Sequence, residues 1–152
     1  MISTSIKISG TQPRVRAASF STFQMQRLAD VGLRAVKSRA KAGIGSDDTA
    51  MPPLTRGYAA VKSRKGGAPL RDLHLTGDML NNLTVRAVNE QNARIAFTES
   101  LARTKALANE QLYPWLGWAP SDVRAVLAEA QKLLKDSVSA TVGGYKSFRR
   151  AA

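Results

Sequence analysis

Apolar side chains recur at helical spacing over two long stretches of the chain. In the first stretch, residues 19–42, Leu28, Val31, Ala35 and Arg39 fall on one stripe, which predicts an amphipathic helix. The second stretch follows residue 120 and predicts the most regular helix of the chain. Its apolar positions lie at i, i+3, i+4, i+7, i+10, i+11 and i+15, and they are Val123, Val126, Leu127, Ala130, Leu133, Leu134 and Val138.

Capping residues define where these helices begin and end. Ser21 and Gln24 have the spacing of a capping box at the start of the first helix. Gly43 is suited to end that helix, because glycine readily adopts the left-handed backbone of a C-terminal cap. Ser121 is the predicted N-cap of the last helix, with Asp122 in its first turn.

Two strands are predicted between the helical stretches. Residues 84–89 and 93–98 are strand-like, and residues 90–92 form the turn of a β-hairpin. Ala93, Ile95 and Phe97 fall on one face of the second strand, which we expect to pack on a helix. A short helix capped by Thr76 is predicted over residues 76–83, and a helix rich in alanine and leucine over residues 100–112.

The remaining segments have little periodicity. Residues 3–9 alternate and predict a short strand or extended arm, which Pro13 ends. Residues 43–72 are predicted to be a long basic loop with one turn of helix around Tyr58. The last segment, residues 139–152, is predicted to be a basic tail hinged at two glycines, ordered on a partner.

The expected fold class is therefore α+β, with two long helices packed on a small antiparallel sheet built around the hairpin. Residues 1–18 form an N-terminal arm or edge strand, residues 19–138 a single domain and residues 139–152 a C-terminal tail. The predicted core residues are Leu80, Leu83, Ile95, Phe97, Trp115, Val126, Leu127, Leu133 and Leu134.

Composition limits the kinds of protein this chain can be. Among 152 residues there is no cysteine, which excludes disulfides, thiolate zinc sites and thiol nucleophiles. No segment approaches the roughly 20 apolar residues that span a bilayer, and no secretory signal is evident. We expect a protein made in a reducing cytoplasm that does not enter a membrane.

The charge is strongly basic and unevenly placed. The net charge is +12, and residues 14–71 carry 12 basic residues against 3 acidic ones. Such an excess favours a polyanionic neighbour, which could be nucleic acid, an acidic protein surface or a membrane surface, over a surface that is merely well solvated.

The sequence carries no catalytic constellation. The lone histidine, His74, lies between two leucines and is better explained by packing than by catalysis. No His or Cys cluster has the spacing of a metal site, and no phosphate-binding glycine loop is present. Asp47 and Asp48 lie in a Gly/Ser loop, where a turn or a helix cap explains them best. We therefore expect a protein that is not an enzyme and has no cofactor or metal.

Nucleic-acid binding is the alternative function. The segments RGYAAVKSRKGG (56–67) and YKSFRR (145–150) combine basic and aromatic residues, which can pair with phosphates and stack on bases. Lys62, Arg64 and Lys65 would carry this binding. Neither segment lies on a recognisable recognition module.

Two tryptophans stand three residues apart in the turn YPWLGWAPSD (113–122). Trp115 is expected to fill the core beside the last helix. Trp118 is expected either to cover it or to contact another subunit, since buried tryptophans dominate interface energetics.

Three motifs in this order resemble those of the phage virion morphogenesis and tail-completion proteins. They are LTGDML with Leu83 after it, a strand pair ending in RIAFT, and the turn PWLGWAPSD before the last helix. The segment containing Pro53, Leu54, Tyr58 and Lys62 also resembles the family. The resemblance covers residues 52–134. The helical segment 100–112 and Ala96, which stands where a glycine is usual, depart from the family pattern.

The resemblance implies a structural virion protein at the head–tail junction of a tailed phage, present in the host cytoplasm during assembly. Its partners would be copies of itself in a ring, expected to be a hexamer, neighbouring neck, portal-adaptor or tail-tube proteins, and the DNA in the channel. The predicted interface residues are Tyr58, Arg64, Lys65, Trp118, Tyr145, Phe148 and Arg149.

Overall fold

The computed structural model describes residues 20–71, 73 and 77–148, without the side chains of residues 87 and 138–148. Its class is α+β, as predicted: it combines helices with a small two-stranded antiparallel sheet. In chain order the elements are α1 (Thr22–Lys41), α2 (Arg56–Arg64), α3 (Asp78–Asn81), β1 (Leu83–Val88), β2 (Ala93–Phe97), α4 (Ser100–Leu112) and α5 (Pro120–Phe148). None of the described helices has the length and apolar character needed to cross a membrane.

The ends of α1 are those that its capping residues predict. The Ser21 side chain accepts from the Gln24 backbone N–H, and the Gln24 side chain accepts from the Ser21 backbone N–H, which confirms the capping box. At the other end Gly43 has a φ of 72°, in the left-handed region that glycine adopts without strain. Helix α1 therefore begins and ends through local sequence signals.

The hairpin formed by β1 and β2 also follows its sequence. Asn89 and Asn92 close the predicted turn, where the Asn89 side chain accepts backbone N–H groups from residues 91 and 92. The register pairs Leu83 with Phe97 and Val85 with Ile95, so these four side chains share one face of the ribbon. That face is the more buried one, and the hairpin packs on α1.

The loop predicted over residues 43–72 contains a nine-residue helix, α2, instead of one turn. The sequence KGG explains where this helix ends. Gly66 has a φ of 78° and donates to Ser63 O, while Gly67 donates to Lys62 O, which is the hydrogen-bond pattern of a Schellman cap. The glycines interpreted as part of a basic loop are therefore a helix stop signal.

The start of α5 differs from the prediction. The helix begins at Pro120, so Ser121 lies inside it and is not the N-cap. Proline suits the first position of a helix because its missing N–H would have no intrahelical partner there. Ala119 occupies the cap position, and its N–H donates to Asp122 Oδ2 at 3.0 Å.

The end of α5 also differs, because the helix continues to Phe148 and includes most of the predicted tail 139–152. Its backbone passes through the predicted glycine hinge. Each glycine disfavours a helix by only about 1 kcal/mol, and the preceding turns are rich in strong helix formers that favour propagation.

Helix α3 is shorter than predicted and has Gly77 as its N-cap, with a φ of 85°, while Thr76 lies outside the described residues. Helix α4 has the predicted bounds. Of the two long helices expected to pack on the sheet, α1 does so, whereas α5 packs chiefly on α1. Helix α3 packs against α4 and the hairpin.

The central core cluster consists of Ala40, Met51, Met79, Leu80, Ala106 and Trp115. Of the predicted core residues, Leu80, Leu83, Trp115 and Leu133 are buried. Four others are half-buried, and they are Ile95, Phe97, Val126 and Leu134. Leu127 was wrongly placed in the core: it is 55% exposed, because α5 packs chiefly on one helix, α1, which covers only one side of the predicted apolar stripe.

Candidate functional site

The tryptophan turn between α4 and α5 is anchored in the core. Trp115 is fully buried, as predicted, and its indole N–H donates to Ala106 O at 3.4 Å. The backbone N–H groups of Trp115 and Leu116 both donate to Glu110 Oε2, at 2.7 and 2.8 Å. A single carboxylate from the end of α4 therefore fixes the path of the turn.

A buried arginine joins this turn to the two long helices. Arg39 Nε donates to Asp122 Oδ2 at 3.0 Å, and the two side chains are 4% and 2% exposed. Its terminal nitrogens donate to the carbonyl oxygens of Ile44, Trp115 and Gly117 at 3.3, 3.0 and 2.8 Å. The guanidinium thus connects α1, the turn and α5 through four acceptors, an arrangement that the planar arginine fork allows.

Sequence reasoning missed this pair, although one signal was present. Arg39 lies on the apolar stripe of α1, where a charged residue needs a buried partner. Asp122, in the first turn of α5, was interpreted only as a favourable charge near the helix N-terminus.

Asp47 and Asp48 have the turn and cap roles that the sequence predicts. Asp47 accepts a hydrogen bond from the Thr49 backbone N–H, and this hydrogen bond is the main reason that the pKa of Asp47 lies below its usual range. Asp48 accepts from the Ser121 hydroxyl and, at 2.9 Å, from the Ser121 backbone N–H. The Ser121 hydroxyl hydrogen bond is the main reason that the pKa of Asp48 is also lowered. Asp48 therefore caps α5 from a distant loop.

Trp118 packs within the chain. Its indole lies over Gly32 of α1, so close that a Cβ on residue 32 would be 2.5 Å from Cη2. The side chain is half-buried. The indole of Trp118 therefore packs against α1.

The predicted interface residues of α2 lie on the surface. Tyr58 is 46% exposed, and Arg64 and Lys65 are exposed at the end of the helix. Lys62 differs from them: it is 3% exposed and its Nζ donates to Leu70 O at 2.7 Å. Lys62 therefore holds the segment after α2 and is not available to a nucleic acid, which corrects its predicted binding role.

Three predicted interface residues cannot be placed as side chains. The backbones of Tyr145 and Phe148 belong to the last turns of α5, and their side chains lie outside the described part of the structure, as does all of Arg149. His74 also lies outside the described residues. The predicted residues that are placed lie on different elements, α2 and the turn before α5.

A second basic residue organises the loop around α2. Arg71 donates to the carbonyl oxygens of Pro52 and Pro53, at 2.8 and 3.3 Å. Its guanidinium carbon lies 3.9 Å from the centre of the Tyr113 ring, a cation–π geometry. The loop is thus tied to the start of the tryptophan turn.

Several of the described acidic residues serve structural roles. Glu110, Asp122 and Asp48 bind backbone groups or Arg39, and Glu129 pairs with Arg27. Across residues 20–71, 73 and 77–148, no group of three or more His, Asp and Glu side chains is placed to hold a metal ion.

Comparison with protein-family models, with curated proteins and with solved structures finds no match to this chain.

Proposed function

We propose that this chain is a structural subunit of a tailed-phage particle, located at the head–tail junction and assembled with copies of itself into a ring. The observation that supports the proposal most strongly is the resemblance carried by three motifs in order, LTGDML, RIAFT and PWLGWAPSD. A ring of six copies in contact with neck, portal-adaptor or tail-tube proteins is part of the proposal.

The surface of the isolated chain supports an assembly role. Large apolar side chains remain exposed on several elements: Phe23 on α1, Leu101 and Leu112 on α4, and Val123 and Leu127 on α5. Such side chains mark an interaction surface where they form a contiguous patch. In a ring each subunit uses two different surfaces, one for each neighbour, so apolar exposure on separate helices fits a ring better than a two-fold dimer.

A genetic deletion tests the proposal. Induction of a phage lacking this chain should give DNA-filled heads and separate tails, seen by electron microscopy, and no infectious particles. Complementation with the wild-type chain should restore joined particles. Normal joined particles without the chain would refute the proposal.

A surface variant adds a test of the assembly itself. Leu101→Glu with Leu112→Glu places two charges on the exposed face of α4 and should abolish ring formation, as measured by native mass spectrometry. The matched control replaces two exposed polar positions of the same helix, Thr104→Glu and Gln111→Glu. Rings of unchanged copy number in the leucine variant would exclude this face as a subunit contact.

Binding of nucleic acid is the second candidate function. The exposed positions of Arg64 and Lys65 favour it, since both side chains are free to approach a polyanion from the end of α2. Two results together would support this function instead. Deletion of the chain would leave particles intact, and the purified chain would bind duplex DNA in a salt-dependent way.

A further inference from the structure

Two arginines face each other across the hairpin without a compensating charge. The register places Arg86 of β1 directly opposite Arg94 of β2, and both side chains are exposed. Residues in such a pair have Cβ atoms about 4.5–5.5 Å apart, and like charges there destabilise the hairpin. Within the described part of the chain, no ion pair or side-chain hydrogen bond joins either guanidinium to another residue.

The surroundings of the pair leave it open to a large ligand. The next pair on the same face is Thr84 with Ala96, two small side chains that would let a ligand approach the ribbon closely. The opposite face carries the apolar side chains that pack on α1. A β-bulge between Arg86 and Val88 lies beside the pair, and bulges increase the local twist of a ribbon.

We propose that this outer face of the hairpin binds the phosphate backbone of duplex DNA, with Arg86 and Arg94 contacting phosphate oxygens. Guanidinium groups suit phosphates because their N–H donors are fixed in a fork that matches the anion. A two-stranded ribbon also has the width that the major groove of B-DNA admits.

The charge distribution favours DNA over a second copy of the chain as the partner. The chain has 11 acidic residues against 23 basic ones, and several of the acidic ones are engaged in its own fold. A second copy therefore offers few free carboxylates to this arginine pair. A duplex presents one charge about every 1.7 Å of its axis, so it can neutralise the hairpin and other basic surfaces together.

This inference does not depend on the position of the chain in a particle, because it concerns the purified full-length protein. The experiment measures binding to a 20-base-pair duplex by fluorescence anisotropy at several salt concentrations. Each phosphate contact contributes a slope of about −0.9 to the dependence of log K on log salt. The variant Arg86→Gln/Arg94→Gln should therefore reduce the magnitude of the slope by about 2. Its affinity loss between 50 and 200 mM salt should be about tenfold smaller than that of the wild type.

The control is Arg124→Gln, which removes one charge from an exposed side chain near the start of α5, 3.8 Å from Asp48 Oδ2. Its slope should equal that of the wild type. The hairpin variant should unfold at the same temperature as the wild type or higher, because it loses a like-charge pair.

Three results would overturn the proposal. The first is a wild-type chain that does not bind the duplex, and the second is a hairpin variant with the wild-type salt slope. The third is an Arg124 control whose salt slope falls by as much per removed charge as that of the hairpin variant. Binding of polyglutamate that needs Arg86 and Arg94, without binding of DNA, would assign the face to an acidic protein instead.

Discussion

Replacement of the buried Arg39 by methionine should destabilise the fold far more than replacement of an exposed arginine on the same helix. Methionine fills much of the same volume but has no donors. Asp122 would then be a carboxylate with almost no exposure and no cationic partner, and the carbonyl groups of Ile44, Trp115 and Gly117 would lose a donor.

The magnitude follows from these contacts. Removing one partner of a buried ion pair costs about 3–5 kcal/mol, because the other charge remains buried and unpaired. The carbonyls add less, since Ile44 and Gly117 are half-buried and water can reach them. We expect Arg39→Met to lower the free energy of unfolding by about 3–5 kcal/mol, a large part of the roughly 5–15 kcal/mol of a typical domain.

Urea unfolding followed by tryptophan fluorescence measures this change. The matched control is Arg34→Met, an exposed arginine on the same helix, which should stay within about 0.5 kcal/mol of the wild type. Asp122→Asn keeps an oxygen for the Ala119 N–H and should cost less than Arg39→Met. The double variant should be more stable than the sum of the single changes predicts, because it leaves no unpaired carboxylate.

The result that would refute this reasoning is an Arg39→Met variant within about 1 kcal/mol of the wild type, well below the cost of an unpaired buried charge. Strict additivity in the double variant would show that the two side chains do not interact energetically.

Three further predictions concern packing and pH. Gly32→Ala should destabilise the chain by about 1–2 kcal/mol in urea unfolding, because overpacking against Trp118 outweighs the gain of up to about 1 kcal/mol in helix propensity. Gly57→Ala, where a Cβ meets nothing within 4 Å, should be neutral or stabilising, and equal effects at both glycines would contradict the packing argument. Because the folded pKa of Asp48 lies below its ordinary value of 3.8, its contribution is present above that pH and is lost as pH falls through the folded pKa. Asp48→Asn should therefore be less stable than the wild type at pH 7, with a difference that shrinks below pH 3.8, and a difference independent of pH would contradict this role.

Local signals in the sequence predict the elements that depend on few residues. The capping box at Ser21, the bounds of α4 and the hairpin turn at Asn89 are all confirmed, because each is determined by residues close together in the chain. The fold class follows from these elements. The burial of Trp115 could be predicted, because a large apolar side chain in a turn beside an amphipathic helix is expected to pack on the apolar face of that helix.

Contacts between distant residues could not be predicted in the same way. The Arg39–Asp122 pair joins residues 83 positions apart, and nothing local identifies the partner of a charged residue on an apolar stripe. The hydrogen bond by which Asp48 caps α5 joins residues 73 positions apart. The local sequence does not reveal such a contact, and Ser121 is therefore wrongly predicted to be the N-cap. The exposure of Leu127 was missed because periodicity shows which side of a helix is apolar but not how much of that side a neighbour covers.

The composition of purified particles tests the proposed function most directly. Quantitative mass spectrometry of joined phage particles, with the major capsid protein as the internal standard, should find this chain at a fixed, low copy number, six per particle for one hexameric ring. Joined, infectious particles that contain no detectable copy of the chain would contradict a role at the head–tail junction.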